Sequence, residues 1–223
     1  YKKIIIKEPM SSKTIAQLLP DLKKNCTTKF DESIDLSIQI NNKQKKNEIN
    51  IRTAVTLPSG TGKKIKLAVV CEDDKASIAK DAGADIVGGD DLIDEIKNGK
   101  TDFEKLICTP SMMIKLSKLG KVLGPKGLMP NPKLGTVSDD LKNAVKNAKS
   151  GQVEIRNDKD GNIGVSIGKK SFSDDNLIKN FNAILETLDK EKNNNNVKGN
   201  LIKNSFVTST MGVSFKLKLE KAI

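Results

Sequence analysis

Pro58-Ser59-Gly60-Thr61-Gly62-Lys63 stands where the chain changes from one pattern of folding to another. Before it, Ser33-Ile34-Asp35-Leu36-Ser37-Ile38-Gln39-Ile40 alternates strictly, as a strand with one buried and one wet face must. Ile49, Ile51, Thr53, Val55 and Leu57 alternate again after a Lys/Asn-rich connection at 41–47. The two runs predict an antiparallel pair with Arg52 on its wet face. After the break, short continuous apolar runs at 65–71, 84–87 and 105–108 alternate with helical patterns at 75–82 and 90–97. That βαβαβ rhythm predicts a small parallel sheet buried on both faces.

The alternating style returns beyond Gly151. Ser138 is placed to cap a helix with Asp139 and Asp140 in its first turn and Gly151 past its end. Val153 and Ile155, then Ile163, Val165 and Ile167, predict a second hairpin around the turn Asn157-Asp158-Lys159-Asp160-Gly161. A long helix from Ser173 to about Glu191 carries Leu177, Phe181, Ile184, Leu185 and Leu188 on one face. The Asn193–Asn196 run reads as a low-complexity surface loop, and strands close the chain at 206–210 and 213–219. Near the start, Ser11 or Ser12 would cap a short helix over 15–22, broken near Pro20. The simplest architecture is α/β (α+β) in two domains. Residues 1–60 and 152–223 form a discontinuous α+β domain, and 61–151 form an inserted, small Rossmann-like βαβ domain. The paired crossings at Gly60/Gly62 and near Gly151 would act as a hinge.

Composition narrows the function. Lys+Arg number 39 against 28 Asp+Glu, a net charge of +11, which favours a polyanionic partner and nucleic acid before a membrane. No apolar run approaches the ~20 residues of a membrane helix. Only Arg52 and Arg156 are arginines, in a chain whose abundant Lys, Asn and Ile suggest an AT-rich gene. Where a point charge suffices such a gene drifts to lysine, so these two mark places that need the planar guanidinium fork. Histidine is absent, and Cys26, Cys71 and Cys108 form no CxxC pair, which removes most zinc and general-base chemistry; no nucleophile–base pair can be assembled except from lysines or carboxylates, and no metal or cofactor is expected. Ser59-Gly60-Thr61-Gly62-Lys63-Lys64 is not a P-loop. Leu57 stands where the first glycine is needed, Lys64 replaces the magnesium-binding hydroxyl, and a strand rather than a helix follows. The chain reads as no enzyme.

Residues 111–138 carry Lys115, Lys118, Lys121, Lys126 and Lys133 with no acidic residue before Ser138, punctuated by glycine and proline. They read as a long basic loop, and such loops in compact domains are usually functional. Aromatics make up only 3% of the chain, too few to stack single-stranded bases at scale. An RNA partner should therefore be folded and read through shape, phosphates and 2′-hydroxyls. Thr208-Ser209-Thr210-Met211-Gly212 suits that, with short hydroxyls and a glycine permitting close approach.

Leu119-Gly120-Lys121-Val122-Leu123-Gly124-Pro125-Lys126-Gly127-Leu128-Met129-Pro130-Asn131-Pro132-Lys133-Leu134-Gly135-Thr136-Val137 closely resembles the signature of the ribosomal protein L1 family. The resemblance runs almost end to end, through Lys29-Phe30-Asp31-Glu32, Leu57-Pro58-Ser59-Gly60-Thr61-Gly62-Lys63, Ala82-Gly83-Ala84-Asp85, Glu154-Ile155-Arg156-Asn157-Asp158-Lys159 and Ser209-Thr210-Met211-Gly212. It departs at Val213-Ser214, where the family usually has proline, and at Tyr1–Met10, which lacks the family's basic helix. The resemblance implies a two-domain fold with an inserted middle domain, present as a monomer in the large ribosomal subunit. It implies binding, mainly by the discontinuous domain, to the folded stalk region of large-subunit rRNA beside the exit (E) site for tRNA. By motif match the RNA contacts would be Lys29, Phe30, Ser33, Arg52, Glu154, Arg156, Asp158, Lys159, Thr208, Thr210, Met211 and Gly212. Bacterial members also repress their own mRNA. The start at Tyr1 and the Asn-rich composition lean towards a mitochondrial matrix protein that has lost an upstream segment, with the cytoplasm of a low-GC bacterium as the alternative.

Overall fold

The computed structural model describes residues 13–41, 50–194 and 199–219. In chain order the elements begin with α1 (Ile15–Lys24), β1 (Ser33–Ile40), β2 (Arg52–Thr56), β3 (Leu67–Val70), α2 (Asp73–Asp81) and β4 (Ile86–Gly88). They continue with α3 (Asp90–Lys97), β5 (Lys105–Cys108), α4 (Pro110–Ser117), α5 (Gly120–Leu123) and α6 (Leu141–Lys149). The last are β6 (Gln152–Arg156), β7 (Asn162–Lys169), α7 (Asp174–Asn194), β8 (Ile202–Ser209) and β9 (Phe215–Lys216). Two compact units result, one holding the chain up to Gly62 and from Val153 onward, the other Lys63–Gln152. The fold is mixed α+β.

The unit containing both ends is built on a four-stranded sheet in the order β7-β1-β8-β9. β1 runs antiparallel to both neighbours, with Ser37 opposite Gly164 on β7 and Phe206 on β8. Its alternation sends Ile34, Leu36, Ile38 and Ile40 inward against α1 and α7, where Leu18, Leu19, Leu22, Leu177, Ile184 and Leu188 are buried. Each such side chain stabilises the fold by about 1.5–3 kcal/mol. α1 starts at Thr14, whose N–H donates to the Gln17 side chain. It runs unbroken through Pro20 to Lys24, contrary to the expected break, because its buried leucines hold it down on the core and leave the proline on the exposed side. Ser11 and Ser12, expected as its caps, lie outside the described residues, as do Ile49 and the rest of 42–49.

Neither expected hairpin forms. β1 pairs with β7 and β8, while β2 pairs with β6 in a separate two-stranded sheet. Alternation had shown which face each strand buries, but not its neighbour. The one bridge joining the expected second pair is Asn157 to Ile163. Asn157 also ties the two-stranded sheet together: its N–H donates to the Ile51 carbonyl and its side chain accepts from the Ile51 N–H at 2.6 Å.

The other unit has the parallel sheet β4-β3-β5. Successive residues of β3 enter opposite cores. Leu67 and Val69 pack with Ile107, Leu141 and Val145, whereas Ala68 and Val70 pack with Leu92, Ile96, Leu116 and Leu123. The stretch expected as one long basic loop is folded instead: α4, α5 and a 3-10 turn at Pro132–Leu134 lie in it, and Val137 bridges Cys108. Met112, Leu116, Leu119 and Leu123, spaced by three or four, are buried along it. That helical spacing was hidden by the glycines and prolines. Asp140, not Ser138, caps α6, its carboxylate accepting from the Asn143 N–H at 3.2 Å, and Asp139 lies before the helix.

Candidate nucleic-acid interface

The outward side of the four-stranded sheet is polar and small. Ser33, Asp35, Ser37 and Gln39 of β1 face away from the core, with Gly164 and Ser166 of β7 and Thr208 of β8 beside them. Phe206, opposite Ser37, lies on the same side, half-buried and outside the hydrophobic core. Eight strand residues span ~25 Å. The sequence-derived contact residues gather at the two ends of this face.

At one end lie Lys29, Phe30, Ser33 and the Thr210-Met211-Gly212 turn. Thr210 doubles the junction with β1: its N–H donates to the Ser33 carbonyl at 3.1 Å, and its hydroxyl accepts from the Ser33 N–H at 3.0 Å. The turn closes when the Gly212 N–H donates to the Ser209 carbonyl at 3.2 Å. A Cβ at Gly212 would stand 2.2 Å from the Ser209 hydroxyl, so glycine is obligatory there unless Ser209 moves. The turn is complete before Val213-Ser214, so the missing proline does not alter its closure. Phe30 (54% exposed) and Met211 (58%) present large apolar side chains to solvent at this rim.

Beneath the rim is Glu32, completely buried, a residue that the motif match had not put among the contacts. One carboxylate oxygen accepts from the Thr28 hydroxyl at 2.7 Å, the other from the Met211 N–H at 3.2 Å. Burial alone would raise its pKa. Hydrogen bonds, those from the Thr28 hydroxyl and the Met211 N–H among them, outweigh burial and hold it below the usual carboxylate range. Glu32 thus fixes the backbone from which Phe30 and Met211 project. A signal for it was present: continuing the period of β1 backward puts residue 32 on the core side, where a carboxylate needs partners. Asp31 does a similar service, accepting from the N–H and hydroxyl of Ser171 at 3.0 and 2.8 Å. Lys169, also missed, donates to the Ser33 hydroxyl at 2.9 Å.

At the other end a concave groove of about 880 Å³ is lined by Ser37, Asn50, Arg52, Arg156, Asn157, Asp158, Lys159, Asn162, Ile163 and Gly164. Both arginines enter it, though 104 residues apart in sequence. They are not equivalent. Arg52 Nε donates to Glu154 Oε1 at 2.8 Å across the β2–β6 pair. Arg156 is exposed on β6 and has no ion pair among the described residues. Asp158 serves the turn: its carboxylate accepts from the Asn162 N–H at 2.6 Å, the main reason its pKa is held low. Glu154 therefore orients Arg52, and Asp158 the turn. Lys115, one of the lysines of the expected basic loop, donates to Asp90 at 2.6 Å. Among the described residues no group of three or more His, Cys, Asp or Glu could hold a metal, and no helix is long and apolar enough to cross a membrane.

A model of the ribosomal protein L1p/L10e family matches residues 22–213. The large ribosomal subunit protein uL1 of Pelagibacter ubique is 74% identical over 214 residues, covering 96% of this chain and 93% of that protein. The protein of the same name from Rickettsia akari is 44% identical over 95% of this chain and 88% of its own, and that of Rickettsia prowazekii 45% over 96% and 90%. These relatives are bacterial, which fits the bacterial alternative and does not support the lean towards a mitochondrion. With a family model matched along most of its length and relatives alike nearly end to end, the chain belongs to the ribosomal protein L1p/L10e family, structural proteins and not enzymes.

Proposed function

We propose that this chain is a structural constituent of the large ribosomal subunit and grips a folded stretch of its rRNA along the outward face of the β7-β1-β8-β9 sheet. The observation that carries the reading is the convergence at two ends of one face. Ser33, Thr208 and Thr210–Gly212 come together at the rim, while Arg52, Arg156 and Lys159 enter one groove. Hydroxyls and exposed backbone suit 2′-hydroxyls and phosphates, and a guanidinium forks onto phosphate or a base edge. The net charge of +11 supplies a salt-dependent background. The names of the relatives support the assignment to the large subunit.

In this reading the bound rRNA is the stalk beside the exit site. The crossings at Gly60/Gly62 and Gly151 serve as its pivot, and movement of the stalk assists release of deacylated tRNA. Its own mRNA competes for the same face where it folds like the rRNA site. Fractionation of cells on a sucrose gradient tests the assignment. The protein should travel with free large subunits and whole ribosomes and be absent from free small subunits; a peak confined to soluble fractions would refute it.

A further inference from the structure

Four of the five methionines lie among the described residues, and they differ sharply in access. Met112 is 6% exposed, and Met113 and Met129 pack half-buried against the core of the inserted unit. Met211 is 58% exposed. Its backbone N–H is held by the buried Glu32 carboxylate, and its side chain is exposed next to Thr210. Phe30 and Met211 are the two strongly exposed large apolar side chains described in this unit, and both stand at the rim assigned above to RNA. A thioether so placed is open to two-electron oxidants, and its sulfoxide is polar and chiral.

We propose that Met211 is an oxidation site that makes RNA binding by the free protein sensitive to peroxide. The chemistry is an oxygen transfer. The Met211 Sδ lone pair attacks one peroxide oxygen and the O–O bond breaks. The S–O bond forms, sulfur is oxidised by two electrons, and the peroxide is reduced to water with its protons. The sulfoxide sets a strong dipole where the rim offered an apolar contact, and RNA must leave that dipole partly desolvated. RNA seated on the rim covers the same sulfur, so assembled protein is protected and free protein is not. Cys26, Cys71 and Cys108 are all buried, which leaves Met211 as the most accessible sulfur among the described residues.

The inference rests on the RNA-binding reading, and its test separates the two. Full-length protein is treated with hydrogen peroxide, free or bound to a stalk rRNA fragment. Oxidation is mapped by peptide mass spectrometry, and affinity is measured before and after. Met211 should gain one oxygen before Met112, Met113 or Met129, and only in free protein. Affinity should fall by about tenfold and return after treatment with two thiol-dependent methionine sulfoxide reductases, one for each sulfoxide epimer. From whatever affinity it starts, Met211→Leu should lose nothing on treatment, whereas Met211→Gln should bind as weakly as oxidised protein. Oxidised Met211 with unchanged affinity overturns the inference and leaves the RNA reading standing. An equal loss in Met211→Leu likewise overturns it, since another site would then be responsible. Untreated protein that ignores the rRNA fragment overturns both.

Discussion

The parallel sheet of the inserted unit sends Leu67 and Val69 into one core and Ala68 and Val70 into another, so β3 is buried throughout. In the unit holding both chain ends, β1 buries Ile34, Leu36, Ile38 and Ile40 and leaves Ser33, Asp35, Ser37 and Gln39 on the other side. Helices on both sides of a parallel sheet stabilise it well but give it no face to show a partner. An antiparallel sheet with helices on one side retains a broad polar surface whose residues are already fixed by the ladder. Under the proposed function, strand residues of the inserted unit serve stability alone, and those of the discontinuous one serve stability on one side and recognition on the other.

The largest expected effect lies in the fully buried sheet. Ile107→Ala should lower stability by about 2–5 kcal/mol in denaturant unfolding, with unchanged RNA affinity at temperatures where the protein stays folded. A matching loss of affinity would break the division of labour. Arg156→Lys should do the reverse, costing about 1.5–3 kcal/mol of binding by loss of the fork, with little change in melting temperature. Arg52→Lys should cost less, because Arg52 is already engaged with Glu154; equal losses would erase the distinction between the two arginines.

Glu32→Gln joins the two sides. It removes a charge that accepts from Thr28 and Met211, so about 1–3 kcal/mol of stability should go, and RNA affinity should follow as the Met211 turn loosens. The pH dependence has a fixed sign. The folded-state pKa of Glu32 is lowered, so its contribution is complete above the ordinary glutamate value of ~4.3 and drains away as pH falls through the lowered value. Acid unfolding of Glu32→Gln should therefore be shallower over that range, and an unchanged slope would show the carboxylate to be idle. The smallest effect belongs to the surface of the inserted unit. Lys118→Gln should change RNA affinity by less than ~0.5 kcal/mol and the salt slope by less than ~0.9; a larger change would give that unit a direct part in recognition.

The sequence made some of this legible and hid the rest for identifiable reasons. The span of β1 and the bounds of α3 and β5 were readable, since alternation, an acidic first turn and a short apolar run are local signals. Strand partners were not, because β1 takes neighbours from residues 162–169 and 202–209, and no local pattern encodes such pairings. The outward placement of Arg52 followed from parity. That Arg156 shares its groove depends on the β2–β6 ladder and could not have been derived from spacing. Glu32 shows a readable signal that went unread, a carboxylate on the buried parity of a strand. Phe206 was obscured by the aromatic-poor composition, since an isolated phenylalanine in a strand is ordinarily a core residue.

The decisive measurement is the affinity of the purified protein for the stalk fragment of large-subunit rRNA, against an unrelated hairpin of equal length at moderate salt. The polar sheet face predicts a strong preference for the stalk fragment, lost on Arg156→Lys and kept in Lys118→Gln. Equal affinity for both RNAs would mean that charge alone holds them, and would contradict recognition by this face.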